Sequence, residues 1–162
     1  MLSKDVNKET SSPLLRACAL ETINSYPASA IHVYTDGSSF KANKFAGFGV
    51  FMRYPDGTSF EYSDSCGLNC SNYQAEVEAI QTSVQILHQK FELSEIKPSD
   101  IIIFSDSKSA LEALESPPYQ ERIIADDAKN IDNLLTAYDV QLTLQWIPGH
   151  TNICTKSMIY KG

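Results

Sequence analysis

Apolar and polar residues alternate in the chain with two distinct periods, and the switch between them sets out the fold. "IHVYTD" (31–36) reads as a short strand, with Asp36 at its end and Gly37 turning the chain. "FAGFGVFMRY" and "TSFEYSDSCGL" are two more strand candidates, joined through "PDG", a hairpin-turn signal. The period then changes. Tyr73, Val77, Ile80, Val84, Leu87 and Phe91 recur at spacings of three and four, the stripe of an amphipathic helix. "DIIIFSD" is a continuous apolar run, as expected of a strand buried on both faces. "SKSALEALES" predicts a short helix stopped by Pro117-Pro118, and Ile124, Ala128, Ile131, Leu135 and Tyr138 mark another. "VQLTLQWI" alternates and reads as a last strand. The order β-β-β-α-β-α-α-β predicts one mixed sheet with helices packed on it. Residues 1–29 mix Lys, Asp, Asn, Ser and Pro around one apolar patch. They read as a leader or linker with a helical turn or two at 14–24, ahead of a domain over 30–162.

Composition adds limits. At 162 residues, 43% apolar and 20% charged, the chain suits one globular domain. No stretch reaches the roughly 18 apolar residues that cross a bilayer, and "PLLRACAL" is broken by Arg16 and lacks a cleavage site. The expectation is an intracellular protein of cytoplasm or nucleus, with no membrane partner. Four scattered cysteines do not make a disulfide framework, and "CGLNC" lacks the second Cys/His pair that a zinc site needs. The formal net charge of −7 excludes a strongly basic, free-standing nucleic-acid binder.

Three acids stand where core-building would not put them. Asp36 ends the first strand and Asp106 ends the buried one. Glu76, placed in the first turn of the long helix, lies only about 60° from the centre of its apolar stripe at roughly 100° per residue. Taken singly, Asp36 is an ordinary turn residue, Glu76 a charge favoured by the helix dipole, and Asp106 a cap for the helix that follows. Asp126-Asp127 reads as a solvated helix face, and "KANK" (41–44) as a solvated loop. Gathered together, the three carboxylates would repel one another unless cations compensated them. Oxygen-only ligands suit Mg²⁺ or Mn²⁺.

"YTDGSS", "SNYQAEVEAI", "FSDSKSALEAL" and "WIPGH" resemble, in order and spacing, the type 1 ribonuclease H domain, in the form carried by non-LTR retrotransposon polyproteins. The resemblance covers about Ile31 to Ile153. It implies an α/β, ribonuclease H-like five-stranded mixed sheet, with the first three strands antiparallel and helices on both faces. It also implies divalent-metal-dependent, endonucleolytic hydrolysis of the RNA strand of RNA–DNA hybrids, with two Mg²⁺ (or Mn²⁺) ions. By that resemblance Asp36, Glu76 and Asp106 are catalytic metal ligands and His150 assists with proton handling. Ser38, Asn72 and Ser107 contact the hybrid. The expected partners are the hybrid and a reverse transcriptase domain of the same polyprotein, with the domain itself a monomer. The tail departs from the family: Tyr160 stands where the fourth carboxylate belongs, and no Asp or Glu follows Asp139. The final helix is therefore expected to be incomplete, one ion weakly held and activity impaired. The second reading is a catalytically inactive, decayed retroelement fragment or nucleic-acid-binding remnant. A von Willebrand-type adhesion site would need Asp-x-Ser-x-Ser, and its last position here is Phe40.

Overall fold

The computed structural model describes residues 12–40, 45–68, 70–115 and 117–149. Helix α1 (Ser12–Asn24) precedes strands β1 (Ile31–Phe40), β2 (Phe45–Arg53) and β3 (Ser59–Leu68). Helix α2 (Asn72–Glu92), strand β4 (Ile101–Ser105), helices α3 (Lys108–Glu115) and α4 (Arg122–Tyr138), and strand β5 (Leu142–Trp146) complete the order. The five strands form one sheet in the order β3-β2-β1-β4-β5. β1, β2 and β3 pair antiparallel, while β4 runs parallel to both β1 and β5. This is the mixed sheet that the strand pattern predicts. The "PDG" turn forms as expected: Gly57 adopts φ +90°, open to a residue without Cβ, and Asp56 Oδ1 accepts from the Thr58 amide at 2.9 Å.

Alternation along β1 and β4 divides the core between the two faces of the sheet. Ile31, Val33, Ile101 and Ile103 join the cluster built with α2 and α4, where Val77, Ile80, Val84, Leu87 and Phe91 are all buried. Tyr34, Ile102 and Phe104 belong to a second cluster with Ala19 and Ile23 of α1. The helical turns read at 14–24 belong to α1, a helix of thirteen residues whose Ala19 and Ile23 pack on the other sheet face. Asp127 is the larger departure. It is wholly buried on α4, not solvated. Cys66 and Cys70 are bonded to each other just before α2, so neither is available as a zinc thiolate. Among the described residues no helix is long and apolar enough to cross a membrane.

Candidate active site

β1 and β4 pair side by side from Ile31↔Ile101 to Tyr34↔Phe104. Past that point β1 continues against β2 alone, to Phe40, while β4 stops at Ser105. Asp36 therefore lies within β1, opposite Gly49, instead of ending it. What ends there is the β1–β4 pairing. Asp106 follows the last residue of β4, so both aspartates stand where the two central strands part.

Glu76 arrives from α2. That helix opens with a capping box: Ser71 Oγ accepts from the Gln74 amide, and the Gln74 side chain accepts from the Ser71 amide. With Asn72 as the first helical residue, Glu76 falls in the second turn, not the first, and is 3% exposed. The helix dipole therefore does not account for it. Two donors hold its carboxylate, Gly37 N–H to Oε1 at 2.6 Å and Ser105 Oγ to Oε2 at 3.1 Å, while the Thr35 hydroxyl, 3.3 Å from Oε2, shares its one proton with the Phe104 carbonyl at 3.1 Å. Gly37 can do this because it lacks a side chain. A Cβ there would stand 2.9 Å from both Ala75 Cβ and the Glu76 amide nitrogen. Thr35 and Ser105 are site residues that the sequence reading missed. The available signal was alternation, which places the residue before each aspartate on the face that α2 covers.

The carboxylates of Asp36, Glu76 and Asp106 each bring an oxygen within 4.8 Å of the others. Burial, then the negative charge and hydrogen bond of Asp106, and finally Asp36 push the Glu76 carboxyl well above its usual range, against the Gly37 amide, which lowers it. Three buried or half-buried oxygen donors with mutual repulsion fit a hard divalent cation, whose charge would reverse that shift. The donor set suits Mg²⁺ or Mn²⁺ and offers no soft ligand for zinc or copper.

Of the other expected site residues, Asn72 stands exposed at the start of α2, one turn before Glu76. Ser107 follows Asp106, and its Oγ accepts from the Ala110 amide at 3.2 Å. Ser107, rather than Asp106, thus caps α3. Ser38 lies on β1 opposite Gly47, and its side chain is outside the described residues. His150, Tyr160 and the "KANK" loop also lie outside them. Trp146 is half-buried against the core, and its Nε1 donates to the Asp106 carbonyl at 3.1 Å.

The RNase H family profile matches residues 28–158. The chain belongs to the RNase H family. Solved structures agree on the fold. RNase H1 of the halophilic archaeon Halobacterium salinarum NRC-1 is 22% identical with a TM-score of 0.59, over 82% of this chain and 96% of that one. LC11-RNase H1, solved in complex with an RNA/DNA hybrid, is 19% identical with a TM-score of 0.62, over 82% and 95%. The N-terminal RNase H domain of a Mycobacterium tuberculosis protein, solved as a fusion with maltose-binding protein, is 15% identical with a TM-score of 0.60, over 82% and 92%. No curated protein matches the chain in sequence. The RNase H fold places α2 across the sheet where β1 and β4 part, and that placement brings the three acids together.

Proposed function

We propose that this RNase H domain hydrolyses the RNA strand of RNA–DNA hybrids, with Asp36, Glu76 and Asp106 as its metal ligands and Mg²⁺ or Mn²⁺ as its cofactor. The observation that carries this reading is the convergence of three carboxylates within 4.8 Å at the parting of β1 and β4. A divalent ion there would activate water and offset charge on the scissile phosphate. The chain's own part is to hold the carboxylates ready. Gly37, Thr35 and Ser105 fix Glu76 in one orientation, so little rearrangement is needed when a cation binds. Asn72, exposed beside the site, is suited to the minor groove of the hybrid, where sugar hydroxyls tell RNA from DNA. Ser38 and Ser107 complete the proposed hybrid contacts, and His150 is the proposed aid to proton handling.

The resemblance aligns Tyr160 with the family's fourth carboxylate, and a phenol in place of that acid would lower the proposed activity. The four sequence blocks that resemble non-LTR retrotransposon polyproteins favour a reverse transcriptase domain as covalent neighbour. Such a neighbour would supply hybrid affinity through effective concentration to a domain of net charge −7.

A labelled hybrid incubated with Mg²⁺ tests the reading. Native protein should cut the RNA strand only, Asp36→Asn should lose about a hundredfold or more, and Tyr160→Asp should cut faster than native. Equal cutting by native and Asp36→Asn protein would refute the assignment. Binding of hybrid without cutting, in Mg²⁺ and in Mn²⁺ alike, would favour the inactive remnant.

A further inference from the structure

Asp106 sits just beyond the end of β4, where strand pairing no longer fixes the chain. The exit of β5 takes over that task. Ile147 N–H donates to the Ser105 carbonyl at 2.9 Å, and Trp146 Nε1 donates to the Asp106 carbonyl at 3.1 Å. Two successive carbonyls at the end of β4 are thus tied to two successive residues leaving β5. Lys108 lays its ammonium 4.2 Å from the centroid of the Trp146 ring. Gly149 then passes against the aspartate side chain itself. A Cβ at that position would stand 2.5 Å from Asp106 Oδ2, 3.3 Å from Cγ and 3.4 Å from Cβ.

We infer that Trp146 and Gly149 are positioning residues for the Asp106 carboxylate: Trp146 holds its main chain, and Gly149 backs its side chain with a wall that has room for no methyl group. The inference rests on the proposed role of Asp106 as a metal ligand and deepens it. A purely packing role for Trp146 would be met in large part by phenylalanine, which keeps an aromatic ring, though a smaller one, and lacks the N–H. At Gly149, the atom that must yield to an added methyl is the end of the Asp106 side chain. The expected damage is therefore a turned carboxylate rather than an unfolded protein.

The test is a calorimetric titration with Mg²⁺ alone, on native protein, Trp146→Phe and Gly149→Ala, alongside thermal unfolding without metal. Trp146→Phe should bind Mg²⁺ about threefold to tenfold more weakly and Gly149→Ala about tenfold or more, as for other groups that orient a metal ligand. Metal-free melting temperatures should stay within about 3 °C of native. In the hybrid-cleavage assay, raising Mg²⁺ should recover the rate of both variants while KM for the hybrid stays unchanged. Native-like Mg²⁺ affinity in both variants overturns the inference. So does a loss of affinity matched by a fall in melting temperature, which would mark both residues as packing alone. Failure of the native protein to bind Mg²⁺ defeats the metal-site reading itself, and the inference falls with it.

Discussion

Glu76 and Asp127 are both buried acids in helices, yet their surroundings are opposite. Glu76 accepts from the Gly37 amide and the Ser105 hydroxyl, lies within reach of the Thr35 hydroxyl, and faces two other acids. Among the described residues neither oxygen of Asp127 has a hydrogen-bond partner, and burial, with the charge of Glu78 on α2, pushes its carboxyl up to about 7. A group whose pKa is raised on folding holds its proton more tightly in the folded state. Its favourable contribution is complete below the unfolded pKa of about 4 and is lost as pH rises through the folded value near 7. Above that, ionised Asp127 is a charge without compensation in an apolar interior. Asp127→Asn should therefore melt higher than native at pH 8, by an equivalent of a few kcal/mol at most, and the two proteins should converge near pH 4. Chemical denaturation at both pH values measures this. A native advantage at pH 8 would mean that Asp127 has a partner when ionised.

At the scale of elements, α2 carries the site and its start fixes where Glu76 falls. Ser71→Ala removes the side-chain half of the capping box and should cost about 1 kcal/mol, read as a lower denaturation midpoint with an unchanged slope. The long helix, the hairpin and the buried strand were legible because periods of 3.6 and 2 are strong over many residues. Glu76 was legible for the same reason, since its angle to the apolar stripe outweighed its charge. Asp127 shows the opposite error. It lies three residues after Ile124 and four before Ile131, on the buried side of α4, but the Asp126-Asp127 pair was read by polarity instead of angle. The cap at Ser71 carries the Ser-x-x-Gln pattern of a capping box in the sequence itself. Alternation puts Thr35 and Ser105 on the face that α2 covers, but their contact with Glu76, and that of Gly37, depends on how closely α2 approaches the sheet, which no periodicity carries. The packing of α1 was hidden similarly: Ala19 and Ile23 are too sparse a pattern to announce a buried side until Tyr34, Ile102 and Phe104 are there to meet them.

At the scale of the whole molecule, the sheet has two edges of different character. β3, at one edge, exposes Glu61 and Asp64 along its length, and such charges discourage pairing with a second chain. β5, at the other, is half-buried and holds the end of β4. Between them the three carboxylates come from segments far apart in the chain. The contact of Thr35 with Glu76 spans 41 residues, that of Ser105 with Glu76 spans 29, and that of Thr35 with the Phe104 carbonyl spans 69. No single hairpin or helix pair contains all three acids, so the pocket depends on contacts between segments far apart in the chain. The proposed cation site therefore needs all three segments in place, and the expectation is that it forms only once folding is complete. Mg²⁺ present during refolding should leave the folding rate unchanged. The same ion should slow unfolding, about tenfold for each tenfold excess over its dissociation constant. Stopped-flow refolding and unfolding across a range of Mg²⁺ concentrations would show it, and a folding rate that climbs with Mg²⁺ would contradict it. A protein built this way would gain kinetic protection from the proposed cation only after the chain has already found its native state.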